Sequence, residues 1–242
     1  IFEHIHESPM TMKIPIVVKD IWGFYAARVQ NTYILEGISM LKEGYPPALI
    51  ENSGRQLGLP NGPLELADAM GLQLVLKYEE QAAMHYGSNY IQHPSVSVLK
   101  TMIEELERTG RSKKAGFYEY DQEGNKILWK GLSEHWTPGK TSYDRKRLNE
   151  RLLFAQVIEA LWCMQEDVIT SAAAANLGSV YGWGFPKETG GVIRFVQDYG
   201  VDNFMAQAKV YHQDYGQRFR LPKVLKNMIT EPNFQLAKAA VE

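Results

Sequence analysis

The chain has 242 residues, of which 45% are apolar and 22% charged, and its formal net charge is -2. That composition is ordinary for a globular protein, and the length suits one large domain or two smaller ones. With 26 Lys and Arg against 28 Asp and Glu, no global charge excess points to nucleic acid or an anionic membrane. A single cysteine, Cys163, excludes an internal disulfide framework and fits a reducing compartment, and no apolar run reaches the ~18 residues of a membrane span.

The lead-in "IFEHIHESPMTMK", residues 1–13, reads as a tail left by a missing neighbour or as a cloning scar, so the chain is expected to be part of something longer. His4 and His6, beside Glu3 and Glu7, are metal-capable residues that read best as part of that solvated tail. A β-type run, Ile14 to Val18, leads through the bulky corner Trp22-Gly23-Phe24 into a helix opening on Tyr25-Ala26-Ala27-Arg28. Val29, Tyr33, Ile34, Ile38 and Leu41 recur at helical spacing and predict one apolar face. Gly44 closes that helix and Pro46-Pro47 starts a short one. Asn61-Gly62 then makes a loop, Pro63 opens the next helix, and "SVSVLKTMIEELERTG" predicts another, capped by Ser95 or Ser97 and ended by Gly110. Phe117 to Tyr120, the turn at Glu123-Gly124-Asn125 and Ile127 to Trp129 predict a β-hairpin. Residues 132–144 read as a linker turning at Pro138-Gly139, and a second helical block follows, with Leu153, Val157, Ala160, Leu161 and Met164 on its first apolar face.

The two blocks repeat each other. "RVQNTYILEGISMLKEG", from Arg28, aligns with "RLLFAQVIEALWCMQED", from Arg151, and both carry a Glu at the same place, Glu36 and Glu159. Each block then passes a Gly-Pro loop into a helix that ends in Gly, "LELADAMG" and "VIRFVQDYG". The order predicts a duplicated all-helical unit: residues 14–131 and 145–242. A carboxylate on an apolar helix face is either a buried acid with raised pKa or a partner for Arg28, Arg151 or a backbone N–H. Its presence in both blocks favours the second role. Cys163 reads as a core thiol. No strand–GxGxxG–helix unit, P-loop or Cys/His zinc spacing is present. The loops at Asn61-Gly62-Pro63 and Gly182-Trp183-Gly184-Phe185-Pro186 are rigid and small, which suits either close approach of a ligand or plain connection between helices.

At these loops the chain resembles the C-terminal part of 3-hydroxyacyl-CoA dehydrogenases, above all the multifunctional fatty-acid oxidation proteins that carry this helical domain twice. The resemblance rests on "IPIVVKDIWGFYAARV", "GLPNGPLELADAMGL", "GRSKKAGFYEY" and "VYGWGFPKETGGVIRFVQDYG". It implies an all-α fold, a tandem pair of helical domains of the 6-phosphogluconate-dehydrogenase C-terminal type, with a small hairpin near 117–129. It implies NAD as cofactor, held by an upstream Rossmann domain that supplies the catalytic groups, and an acyl-CoA substrate whose cleft the helical part closes. It further implies a dimer or internal pseudo-dimer, a thiolase subunit as partner, and work in the bacterial cytoplasm or in mitochondria or peroxisomes. No catalytic residue is then expected in this chain, and alone it should be inactive.

The same resemblance marks substrate-binding positions at Tyr181, Ala27, Asn61, Gly62 and Pro63. The family pattern "PGF-x-x-N-R" has here Trp22 for its Pro and Ala27 for its Asn, which removes a polar group from the thioester side of the cleft. In "GRSKKAGFY", Ser112 stands where the family places a lysine, so no cofactor role is assigned to Lys113 or Lys114. Two other readings stay open: a stand-alone helical module that binds acyl-CoA without catalysis, and an oligomerisation domain with no ligand.

Overall fold

The computed structural model describes residues 15–137, 139, 143–223 and 225. The tail with His4 and His6, together with Ile14 and Pro138, lies outside these residues. Among the described residues the chain forms ten α-helices and one antiparallel hairpin. The first block contains α1 (Ala26–Lys42), α2 (Pro47–Gln56), α3 (Pro63–Met70), α4 (Leu72–Tyr86) and the short α5 (Val96–Lys100). The hairpin β1 (Tyr118–Tyr120) and β2 (Lys126–Leu128) follows, with Tyr118 opposite Leu128 and Tyr120 opposite Lys126. After α6 (Leu132–His135), the second block runs α7 (Arg145–Gln165), α8 (Ala172–Trp183), α9 (Val192–Tyr199) and α10 (Val201–Tyr215).

The repeat read from the sequence is a repeat of structure. α3 and α9 each have 8 residues, and α4 and α10 each have 15. The hinge between the members of each pair is a glycine in the same conformation, Gly71 at φ 89°, ψ 126° and Gly200 at φ 84°, ψ 122°. That positive φ is disfavoured for any side chain, so a glycine is required at both places. The all-α tandem fold expected from the sequence is the fold observed.

The two blocks exchange parts. Tyr25 and Val29, at the start of α1, are buried in the core built by α7 to α10. Leu148 and Leu152, at the matching start of α7, are buried in the core built by α1 to α5 and the hairpin. The long helices therefore pack on each other, and each begins inside its partner's core.

Charge follows the same exchange. Arg28 ion-pairs with Glu159 of α7 and, at 2.7 Å, with Glu166 just beyond its end. Arg151 pairs with Glu36 of α1 and, at 2.7 Å, with Glu43 just beyond its end. Each guanidinium also has an aromatic partner on the last residue of a fifteen-residue helix: Tyr86 accepts from Arg28 at 2.8 Å, and the Arg151 Cζ lies 3.6 Å from the Tyr215 ring centre. Both arginines are 1% exposed. A fully buried guanidinium is tolerable only when its donors are matched in this way. Burial pushes the Glu36 carboxyl up, but Arg151, the His93 ring and Arg218 outweigh it and hold the carboxyl below the usual range. Glu36 is thus a structural partner and not a raised-pKa acid. Cys163 is buried in the second core, where burial raises its thiol pKa.

Several local expectations change. Residues 15–20 form no strand. A strand needs a neighbour for its ladder, and this segment instead lies on the second block, where the Lys19 N–H donates to the Val168 carbonyl at 2.9 Å. α1 has 12 buried residues of 17, because α7, α3, α8 and α2 surround it, so it carries much more than one apolar face. The helix expected up to Gly110 is α5 followed by a π-turn over Thr101–Glu105, and it stops where Glu107 turns to φ 54°. Neither expected serine caps it: the Ser95 hydroxyl meets the His93 ring and Ser97 donates to the Pro94 carbonyl. The linker span holds α6.

Two outcomes are expected. Arg151→Leu leaves Glu36 buried beside Arg218 and His93 but without its main partner, and should lower the urea-unfolding free energy by about 3–5 kcal/mol; a loss under ~1 kcal/mol would contradict the role assigned to the pair. Glu36, with its folded-state pKa depressed, contributes stability that is present above its unfolded value of about 4.3 and lost as pH falls through the folded value. The urea midpoint should therefore drop on acidification from about pH 5 toward about pH 2, less steeply in Glu36→Gln.

Candidate functional site

The residues singled out from the sequence converge on one edge of the molecule, where the corner before α1, the end of α8 and the two Gly-Pro loops meet. The corner is fixed by its backbone. Gly23 and Phe24 have φ of 67° and 50°. The Phe24 N–H donates to the Ile21 carbonyl at 3.0 Å, and the Arg28 N–H to the Gly23 carbonyl at 3.1 Å. No side chain caps α1, and the Gly23 carbonyl takes the Arg28 amide of its first turn instead. Trp22 lies with its ring centre 5.2 Å from the Arg28 guanidinium carbon, which ties the corner to the charged cluster beneath it.

The end of α8 presses against this corner. Tyr25 donates to the Ala175 carbonyl at 3.0 Å and meets the Trp183 ring edge-on at 5.3 Å. The Trp183 indole donates to Gln156 of α7 at 2.9 Å. A β-carbon added to Gly182 would stand 3.4 Å from that of Ala26, so the last turn of α8 touches the first turn of α1. Ala27 is half-buried beside this contact, while Tyr181 is 74% exposed and Phe24 is 54% exposed.

The other loop is held from below. Gly62 and Pro63 are buried, and a β-carbon on Gly62 would come within 2.4 Å of the Glu51 carboxylate, so only glycine fits there. That carboxylate accepts the Leu64 N–H at 2.7 Å and the Tyr118 hydroxyl at 2.6 Å, and burial raises its pKa. Asn61 is half-buried, and its carbonyl accepts the Tyr33 hydroxyl at 2.8 Å. Pro60 and Gly184 bring the two loops face to face: a β-carbon on Gly184 would lie 2.6 Å from Pro60. The cavity left between them, lined by Gln30, Tyr33, Asn61 and Trp183, measures about 40 Å³. That is room for about one water, far below the ~300 Å³ of a small ligand pocket. The loops are thus shut against each other, and a ligand meets only their rim, where Phe24, Ala27 and Tyr181 are reachable.

The structure brings Ala27 and Tyr181 to this rim, leaves Asn61 at its inner edge, and buries Gly62 and Pro63 under Glu51. Sequence reading missed Glu43 and Glu166, Tyr86 and Tyr215, and the support that Trp22 and Trp183 give the corner. The signal for the glutamates was present, since Glu43 and Glu166 occupy one column of the aligned repeats. Among the described residues no group of three metal-ligating side chains forms, and no helix is long and apolar enough to cross a membrane.

This geometry separates two aromatic residues two positions apart. Tyr181→Ala should leave the melting temperature nearly unchanged, within about 0.5 kcal/mol, because its side chain is exposed. Trp183→Ala, at 6% exposure, should cost about 3–5 kcal/mol. Equal losses on thermal melting would contradict the division between rim and support.

Residues 23–120 match the family model for the 3-hydroxyacyl-CoA dehydrogenase C-terminal domain. The chain is similar in fold to 3-hydroxybutyryl-CoA dehydrogenase from Escherichia coli K12, at a TM-score of 0.65 and 16% identity, over 95% of this chain and 63% of that one. It is also similar to the dehydrogenase part of multifunctional enzyme 1 from C. elegans, at a TM-score of 0.65 and 20% identity, over 89% of this chain and 50% of that one. The chain thus spans about half to two-thirds of the length of these structures. The match falls within the first block, which is thus similar to the C-terminal domain of 3-hydroxyacyl-CoA dehydrogenases.

Proposed function

We propose that the chain is the helical part of an NAD-dependent 3-hydroxyacyl-CoA dehydrogenase of fatty-acid β-oxidation, where it walls the acyl-CoA cleft and forms an internal pseudo-dimer from its two blocks. The observation that carries this reading is the family match over residues 23–120, which spans both the corner before α1 and the Asn61-Gly62-Pro63 loop. The second block, a repeat of the first in element order, supports the pseudo-dimer.

NAD does not fit the residues described. The two strands form an antiparallel hairpin of three residues each, and a dinucleotide site needs a parallel strand, a Gly-rich turn and a helix. Hydride transfer is therefore assigned to a domain outside these residues. What this chain offers is a wall. Phe24 presents an apolar surface, and Tyr181 presents a phenol able to donate to a carbonyl. Ala27, on the first turn of α1, adds no donor. A second reading, an acyl-CoA-binding module without catalysis, takes its support from that alanine. On the first reading the protein works in the bacterial cytoplasm, or in mitochondria or peroxisomes, and a thiolase subunit that consumes the 3-ketoacyl product is a natural partner.

Two measurements test the proposal. Calorimetry of this chain with acetoacetyl-CoA should give heat at high micromolar ligand; its absence would count against the cleft role. In the full-length protein, Ala27→Asn should raise kcat/KM on acetoacetyl-CoA by about tenfold or more, since a placed donor is typically worth 10²-fold or more in rate. An unchanged or lower value would contradict the missing-donor account. Binding without any NADH oxidation in the full-length protein would select the second reading.

A further inference from the structure

Among the described residues, the non-glycine positions with a positive φ are Phe24, Glu107, Lys114 and Asp167. Phe24, at φ 50°, is the apolar one, and a bulky side chain is an outlier in that region. The ring gives the fold little in return, since it is part of neither core and is 54% exposed.

The second block starts the equivalent helix without this strain. Counted back from the aligned pair Arg28 and Arg151, Phe24 corresponds to Arg147 and Ala27 to Glu150. There the N-cap Asp144 accepts the Arg147 N–H at 3.0 Å, and no residue from Asp144 to Arg147 has a positive φ. Both corresponding side chains are engaged within the chain. Arg147 donates to the Tyr215 hydroxyl at 3.1 Å, and Glu150 accepts the Tyr199 and Tyr211 hydroxyls at 2.7 and 2.6 Å. Tyr181 has a counterpart too. Glu51 accepts the Leu64 N–H near the start of α3, and Asn176 accepts the Ile193 N–H near the start of α9. Five residues past these caps stand Gln56 and Tyr181. The second block thus has Arg147, Glu150 and Gln56 where the rim has Phe24, Ala27 and Tyr181. One set is polar, with its charges met from within; the other turns an apolar ring outward at the expense of its own backbone.

We propose that Phe24 is a ligand-contact residue which the strained corner aims outward, and that its ring beds the hydrocarbon chain of an acyl-CoA with a medium or long acyl group. The inference rests on the acyl-CoA reading of the rim and adds the substrate class to it. The second block shows that the fold itself does not require the strained corner, and strain of this kind persists where binding uses it. Tyr181 offers a donor to the carbonyl and Ala27 offers no polar group, so the thioester end draws nothing from an apolar ring. The part of the ligand that gains from Phe24 is the run of methylenes beyond it, each of which strengthens binding about fourfold when fully buried.

The test compares acetoacetyl-CoA with 3-oxodecanoyl-CoA by calorimetry on the whole chain, in the wild type and in Phe24→Gly. Covering about two of the extra methylenes on the ring should make the longer thioester bind about tenfold more tightly. In Phe24→Gly that preference should fall below about threefold. The melting temperature should meanwhile stay within about 2 °C of the wild type or rise, because glycine adopts this φ without steric cost. A ring with a merely structural role would lower the melting temperature and leave the preference in place. The inference is overturned if the wild type binds both thioesters alike, if the preference survives in Phe24→Gly, or if the variant melts more than about 4 °C lower. Absence of binding by both thioesters would overturn the acyl-CoA reading of the rim, and this inference with it.

Discussion

Two buried arginines, each neutralised by glutamates of the other block, are the constraint on which the rest of this structure depends. Arg28 and Arg151 lie at equivalent places near the starts of the two longest helices, and neither finds its carboxylates at home. A guanidinium taken out of water without its partners is strongly unfavourable. Neither block can therefore present its long helix in this position unless the other is folded against it. The exchange of Tyr25 and Val29 for Leu148 and Leu152 between the two cores adds an apolar version of the same dependence. The arrangement has the logic of an isologous dimer, in which one patch serves twice, written into a single chain.

That constraint positions the candidate site. Arg28 is held by α7, and through its backbone N–H it holds the Gly23 carbonyl and so the corner before α1. The end of α8 is held against the same corner by Tyr25 and Trp183. Residues on the rim, Phe24, Ala27 and Tyr181, are thus free of structural duty while the groups behind them are fully engaged. A wall built this way needs little reorganisation to meet a ligand, which is what a positioning surface requires. It also explains why the two Gly-Pro loops, which look like ligand loops in the sequence, are closed on each other: their glycines serve the contact between Pro60 and Gly184 and the carboxylate of Glu51.

Much of this was legible before any coordinates. Helical periodicity, prolines at helix starts and glycines past helix ends located α1 to α3, the hairpin, α7 and α9, because those signals are local. The repeat was legible too, and with it the equivalence of Glu36 and Glu159. What periodicity could not show was the direction of pairing. Arg28 and Glu36 lie two turns apart on one helix and could have been expected to serve each other, yet each serves the other block, a choice made by tertiary packing. The strand expected over Ile14 to Val18 is absent over residues 15–18 for a similar reason. Its β-branched composition suits a strand, but a strand exists only where another offers a ladder, and here the neighbour is the loop at Val168. The π-turn after α5 and the role of Trp22 also depend on distant partners that sequence spacing does not report.

The measurement that tests the interlock most directly is native-state hydrogen exchange across a urea series, comparing amides of α3 in the first core with amides of α9 in the second. Mutual dependence predicts that both sets merge into one opening reaction with one free energy and one urea slope. If α9 opened at lower urea while α3 stayed protected, with a separate slope for each, the two blocks would be independent domains. The reciprocal arginine–glutamate clusters would then be a contact between them and not the condition of their folding.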